Sequence, residues 1–237
     1  MRFKTLAAAL LMLLPAPALA DVTATYTVQN KTVTIEAEDQ GNVRLSVDGK
    51  FMLIRRDGVD YAVVQDATGT SHVARFEDLL AMFSAQLKAT PTTPSHIHFI
   101  LTQGAAETVG TYPGTVWNFS PAPGANGAAV KGPPPFDVVI SPDPKLTPVA
   151  GLLKHLIDTA EPMLQPMMGD TDLVARLDEL LAKGAPIRVG KLLKLASVDT
   201  ADIPDDRFAL PGPIVTAAEF LEALDPSKSA QALPPAP

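Results

Sequence analysis

The segment that decides the fold is residues 22–65, VTATYTVQNKTVTIEAEDQGNVRLSVDGKFMLIRRDGVDYAVVQ. Apolar and polar side chains alternate through most of it, as in VTATYTV at 22–28, which indicates strands with one dry and one wet face. Short turn sequences separate the strands, with DQG at 39–41 and DG at 48–49 and 57–58. Because such turns leave no room for crossover helices, the segment predicts an antiparallel meander.

The last two strands of this meander are apolar on both sides. Residues 50–56 and 59–65 carry consecutive large apolar side chains instead of a clean alternation. Strands of this kind are typical of the interior of a sheet that is covered on both faces. We therefore expect other parts of the chain to pack on each face of the meander.

Helical periodicity begins after the meander. Apolar side chains at spacings of three and four residues predict a first helix around residues 76–87, which Pro91 would terminate. The same spacing predicts a second helix from about residue 149. Because proline lacks a backbone N–H, Pro162 and Pro166 are expected to break the far end of this second helix.

Strands and helices then alternate along the rest of the chain. Strands are predicted at residues 96–102, 115–119, 136–140, 186–189 and 191–198. A third helix is expected to begin near Asp170 or Thr171 and to stop at Gly184, and Thr216 with Glu219 forms a capping box for a fourth. This order of elements predicts an α+β fold with helices gathered on one face of an antiparallel sheet.

The first twenty residues have the pattern of a secretory signal peptide. Two basic residues precede an apolar run, and Ala-Leu-Ala at 18–20 forms a small-residue cleavage site before Asp21. The run is about nine residues long, far short of the roughly 20 that span a bilayer. We expect residues 1–20 to be cleaved, residues 21–225 to form a single domain, and residues 226–237 to be a disordered tail rich in proline and alanine.

The composition limits the partners and the compartment. Hydrophobic residues make up 46% of the 237 residues, which is sufficient for a sizeable core. Cleavage would remove two cations and take the net charge from −7 to −9, and so acidic a protein repels the phosphates of nucleic acid. The chain has no cysteine, so it can form no disulfide and carry no lipid on cysteine. These features predict a soluble periplasmic protein that does not bind nucleic acid.

Three stretches carry a resemblance to a known family. They are residues 51–58 (FMLIRRDG), residues 108–117 (TVGTYPGTVW), and residues 185–188 followed by a Phe-x-x-Pro element within 203–211. Together they resemble the superfamily of periplasmic lipoprotein carriers of the LolA and LppX type. The resemblance implies an open half-barrel, in which a curved antiparallel sheet has helices packed on its concave face and, in the carriers, holds acyl chains. The chain departs from the family in a helical insert at 146–183.

The resemblance and the apolar pattern together predict a hydrophobic ligand, a lipid or acyl chain, on the concave side of the sheet. The candidate ligand-binding residues are Phe51, Leu53, Tyr61, Val63, Phe76 and Phe83. A cluster of methionines at Met163, Met167 and Met168 suits either an adaptable apolar binding surface or an irregular edge of the core. An envelope protein is the alternative partner.

The sequence lacks motifs for catalysis and for metal binding. It has no cysteine nucleophile and no Gly-x-Ser-x-Gly motif, and adjacent Ser71 and His72 would point to opposite sides of an extended segment. His96 and His98 would share one face of a strand, but local spacing supplies no third ligand. We predict a binding protein with no catalytic residue, metal site or cofactor. Two alternatives stay open, an envelope interaction protein with a filled half-barrel and a hydrolase with a polar cleft.

Overall fold

The structure is a computed structural model that describes residues 21–66, 68–88, 97–123, 134–168 and 171–224, with only the backbone at 88 and 164–168. The described residues form eleven strands in one antiparallel sheet that is curved and open, together with four α-helices. The mixed α+β class and the curved, unclosed sheet are therefore confirmed. The predicted signal peptide at 1–20 and tail at 226–237 lie outside the described residues.

The elements follow one another in a simple order. The strands are β1 (Val22–Val28), β2 (Lys31–Ala37), β3 (Val43–Val47), β4 (Phe51–Arg56), β5 (Val59–Gln65), β6 (Ser71–Arg75), β7 (Phe99–Val109), β8 (Tyr112–Pro121), β9 (Phe136–Ser141), β10 (Ala185–Val189) and β11 (Leu193–Asp199). The helices are α1 (Phe76–Lys88), α2 (Thr147–Met168), α3 (Leu173–Leu181) and α4 (Ala217–Ala223). Short 3-10 turns cover Pro144–Leu146 and Asp205–Phe208.

Two meanders make up the sheet, whose strand order is β6-β5-β4-β3-β2-β1-β11-β10-β9-β8-β7. The first meander runs from β1 to β6 and the second from β7 to β11, and the pairing of β1 with β11 joins them. As a result β6 and β7, which are consecutive in the chain, lie at opposite edges of the sheet. The connection that begins with α1 therefore leads from one edge of the sheet to the other.

Cross-strand pairing shows which residues share a face. From β1 to β6 the paired residues are Ala24, Ile35, Leu45, Leu53, Ala62 and Ala74. The same face continues through Val28, Leu193, Val189, Val138 and Trp117 in the second meander. We name it the helical face, because α1 contributes Leu79, α2 contributes Leu152 and α3 contributes Leu180 to the apolar clusters on it.

The opposite face of the first meander is also covered. The buried residues there are Met52, Ile54, Val63 and Val73. Tyr61 and Leu210 pack against them, so a segment late in the chain lies over this face. With Leu53 buried on the helical face, the prediction that β4 and β5 are covered on two sides is confirmed.

The second helix differs from its prediction. It runs for 22 residues, through both Pro162 and Pro166, so the prediction that these prolines break it was wrong. A proline inside a helix costs about 3 kcal/mol, because it removes a backbone hydrogen bond and crowds the preceding turn. On either side of Pro162, Ala160 and Met163 contribute to an apolar pocket shared with α1 and α4. Their packing offsets part of the cost.

The shorter elements follow local signals more closely. The predicted capping box is confirmed, since the Thr216 hydroxyl accepts from the backbone N–H of Glu219 and the Glu219 carboxylate accepts from that of Thr216. The third helix ends at Leu181, and Gly184 follows with a φ of +140°. None of the helices in the described parts of the chain combines the length and apolarity needed to cross a bilayer.

Two polar side chains form contacts around β10, one that joins the two meanders and one within the second meander. Tyr26 is buried and its hydroxyl donates to the carbonyl of Pro186 at 3.1 Å, and burial raises the pKa of Tyr26 well above its usual range. Arg188 pairs with Glu107 at 2.9 Å and with Asp137, which ties β7, β9 and β10 together. The same guanidinium lowers the pKa of Asp137, so this carboxylate stays ionised.

Two glycines, Gly184 in the turn before β10 and Gly151 on α2, should respond in opposite ways to substitution by alanine. A Cβ at Gly184 would lie 2.0 Å from the carbonyl oxygen of Ser141, whereas a Cβ at Gly151, on α2, would meet nothing within 4 Å. We predict that Gly184→Ala lowers the free energy of unfolding by about 3 kcal/mol or more. Gly151→Ala should raise it by about 0.5–1 kcal/mol, because alanine favours the helix. Urea unfolding followed by circular dichroism measures both, and equal stability of the two variants would contradict the prediction.

Candidate functional site

An apolar pocket opens on the helical face, between β4, β5 and the helices α1, α2 and α4. Its volume is about 320 Å³, within the roughly 300–1,000 Å³ typical of small-ligand sites. Its lining residues are Phe51, Ala62, Phe76, Leu79, Leu80, Phe83, Ala160, Met163, Phe220, Leu221 and Leu224. Each of these side chains is apolar, so the wall favours a hydrophobic guest over a polar one.

Small side chains help to create this space. Ala62 on β5 and Ala160 on α2 are the two lining alanines, and larger residues there would occupy part of the volume. Helix α1 follows β6 directly and places Phe76, Leu79 and Phe83 along one side at helical spacing. The cavity therefore comes from short side chains on two elements and long ones on a third.

The lining residues separate into a floor and a mouth. Phe220 is only 2% exposed and Leu79 only 4%, so both belong to the packed floor. Phe51, Phe83 and Leu224 are 39%, 38% and 47% exposed, so they form an apolar mouth at the surface. Large exposed apolar side chains that surround a cavity are a mark of a binding site.

Three of the six predicted ligand-binding residues line the pocket: Phe51, Phe76 and Phe83. Leu53 also lies on the helical face, where it is buried beside the pocket without lining it. The structure places Tyr61 and Val63 on the opposite face, in the cluster with Ile54. Both faces of β5 are apolar, so the alternation of side chains did not indicate which face the helices cover.

Helices α2 and α4 line the apolar pocket, although the sequence did not predict that they would contribute to it. Ala160 and Met163 come from α2, and Phe220, Leu221 and Leu224 come from α4 or its end. The apolar stripe of α4 and the methionine cluster were both visible as local patterns. What the sequence lacked was a signal that these helices meet β4 and β5, because packing partners far apart in the chain leave no local pattern. The side chains of Met167 and Met168 lie outside the described residues.

A polar cluster lies on the same face, two residues along β5 from Ala62. Asp60 accepts from Nε of Arg55 at 2.9 Å, and its other oxygen lies 2.6 Å from Nε2 of His155 on α2. The Thr159 hydroxyl lies 3.2 Å from the same Nε2. A catalytic triad needs the acid and the hydroxyl on opposite ring nitrogens. This cluster instead ties α2 to the sheet.

The other histidines do not assemble a site in the described chain. His98 is exposed, and His96, its predicted neighbour on one strand face, lies outside the described residues. His72 is 2.9 Å from Asp66, and this contact, with hydrogen bonds from Thr68 and Thr70, lowers the pKa of Asp66. Within the described ranges, no three His, Asp or Glu residues come close enough to hold a metal ion.

Floor and mouth should differ in their contribution to stability. We predict that Phe220→Ala lowers the free energy of unfolding by about 3–5 kcal/mol, since it leaves a cavity in a buried cluster. Phe83→Ala, the matched change at the mouth, should cost less than about 1 kcal/mol, because that ring already contacts water. Urea titration of both variants measures the difference. A Phe83→Ala variant as unstable as Phe220→Ala would refute this division of the pocket.

Comparison with known proteins leaves the pocket as the principal guide to function. The chain matches no family model, no curated protein and no solved structure.

Proposed function

We propose that this protein is an exported, soluble periplasmic binding protein that holds a lipid or acyl chain in the apolar pocket. The observation that carries the proposal is the pocket wall itself, in which every described lining residue is apolar around about 320 Å³ of space. Removing apolar surface from water contributes roughly 25 cal/mol per Å². A hydrocarbon chain gains this contribution without leaving a polar group unpaired.

The proposed ligand would lie on the concave side of the half-barrel, with the helices as its cover. Support comes from the open curved sheet, from the contacts of α1, α2 and α3 with the helical face, and from the resemblance to the LolA and LppX type of carrier. Under α2 the face is packed solid, since Val149 and Leu152 are at most 2% exposed. The pocket lies beside β4 and β5, and its volume of about 320 Å³ favours one chain over several.

An interaction protein of the cell envelope is the second candidate. The observation that favours it is the mouth, where Phe51, Phe83 and Leu224 are exposed by more than a third. Apolar side chains of a partner could bury these residues without entering deeply. The lipid experiment below separates the two candidates, because only the first requires the interior of the pocket to be free. Neither candidate is an enzyme or requires a cofactor.

Filling the pocket tests the lipid proposal. Delipidated protein should bind the fluorescent fatty acid cis-parinaric acid saturably. Ala160→Phe places a ring in the cavity and should weaken this binding by about tenfold or more, through loss of buried contact. The matched control is Ala81→Phe, at an exposed position of α1 that does not line the pocket. Equal binding by both variants, or no binding by the parent protein, would refute the proposal.

Export is tested separately by the mature N-terminus. Expression in a Gram-negative host should give periplasmic protein that begins at Asp21, as read by intact-mass spectrometry. Ala20→Leu should retain the uncleaved precursor, because signal cleavage needs a small residue before the cut. Leu19→Ala, one residue earlier, should be processed normally. Cytoplasmic full-length protein from the parent sequence would contradict this part of the proposal alone.

A further inference from the structure

A second cleft lies on the opposite face of the sheet, between β3, β4 and the 3-10 turn Asp205–Phe208. Its volume is about 250 Å³, and it is lined by Arg44, Met52, Ile54, Asp206, Arg207, Ala209 and Pro211. We propose that this cleft binds a small organic carboxylate through Arg44 and Arg207. The inference is independent of the apolar pocket, which lies on the helical face.

Two arginines share one buried carboxylate at the base of this cleft. Arg207 donates from Nε at 2.9 Å and from Nη2 at 2.6 Å, both to Oε1 of Glu36. Arg44 donates from Nη1 to the other oxygen at 2.9 Å. The Glu36 side chain is only 7% exposed. Three charge-assisted hydrogen bonds therefore engage both oxygens of Glu36, and the two guanidiniums bring one more positive charge than this carboxylate neutralises.

The remaining guanidinium edges have no carboxylate partner among the described residues, and the Arg207 side chain is 46% exposed, so its free edge is open to solvent. Nη2 of Arg44 faces the sulfur of Met52 at 3.1 Å, and a thioether is a weak acceptor for a cationic donor. The Arg44 side chain is only 15% exposed, which limits the water that could replace a better acceptor. Nη1 of Arg207 makes no hydrogen bond with any described residue. A ligand carboxylate has two acceptor oxygens, and both guanidiniums line the cleft in which it would bind.

The rest of the cleft selects the body of the ligand. Ile54 and Met52 on β4, with Ala209 and Pro211 on the covering segment, are apolar. A volume of about 250 Å³ lies below the usual size of drug-like sites, so the ligand must be compact. A carboxylate on a short aliphatic or aromatic body satisfies both the guanidinium edges and the apolar wall.

Asp206 sets the strength of the interaction. It is exposed and lines the same cleft, so Glu36, Asp206, Arg44 and Arg207 sum to zero charge. A bound carboxylate gains the attraction of the two guanidiniums and meets repulsion from Asp206. Removing that carboxylate should tighten the binding of anions and leave neutral molecules of the same shape unaffected.

Benzoate and benzamide are suitable probes, because they share shape and differ in charge. Methionine methyl groups labelled with ¹³C report on both cavities in the mature full chain, Met52 for this cleft and Met163 for the apolar pocket. Benzoate should shift the Met52 resonance saturably and leave the Met163 resonance unchanged. Benzamide should shift neither resonance. A response to both probes alike, or at Met163 alone, would overturn the proposal.

Three variants complete the experiment. Asp206→Asn should tighten benzoate binding by about threefold or more, and Asp205→Asn, an exposed neighbour that does not line the cleft, should leave it unchanged. Arg207→Ala should weaken it by about tenfold. If the Arg207→Ala variant does not fold, the comparison of Asp206→Asn with Asp205→Asn still tests the proposal, since neither substitution alters the hydrogen bonds to Glu36. Equal affinity of these two asparagine variants would refute the assignment.

Discussion

The pairing of β1 with β11 is the contact on which the rest of the structure depends. It aligns Val22–Val28 with Leu193–Asp199 and turns two locally formed meanders into one sheet. Closing so long a loop is entropically tolerable, because each doubling of loop length costs only about 0.6 kcal/mol. Burial repays that cost at the junction, where Tyr26 and Leu195 are at most 2% exposed and belong to one apolar cluster.

The position of the apolar pocket follows from this closure. With β6 and β7 at opposite edges, α1 lies against β5 and β6, α2 against β2 and β10, and α3 against β7. The centre of the helical face is filled by α2, and the apolar pocket lies where α1 and α4 meet the first meander. There Ala62 and Ala160 are too small to fill it, and the His155–Asp60 contact fixes α2 beside the space. The cavity lies between rigid elements and therefore does not depend on a loop for its shape.

One strand, β4, contributes to two different chemical environments. Side chains alternate along β4, so Phe51 reaches the apolar pocket while Met52 reaches the cleft on the other face. The pocket is covered by amphipathic helices, which contribute apolar side chains to its wall. The cleft is covered by a short turn that brings Arg207 to the buried carboxylate of Glu36. Breaking this contact would remove two of the three charge-assisted hydrogen bonds to the buried Glu36, so the contact fixes the position of the covering segment on the sheet.

The sequence by itself determined what depends on neighbours in the chain. Alternation predicted the first three strands, runs of apolar residues predicted the next two, the turn sequences made them antiparallel, and Thr216 with Glu219 marked the start of α4. Sequence also indicated that β4 and β5 are covered on two faces. Tertiary structure alone decided which face of the sheet each covering segment packs on and how far α2 extends. Tyr61 and Val63 belong to the opposite face, Phe220 reaches the pocket floor, and α2 continues through Pro162. The physical reason is that these outcomes depend on packing between segments distant in the chain, and such contacts outweigh local preference without leaving a periodic trace.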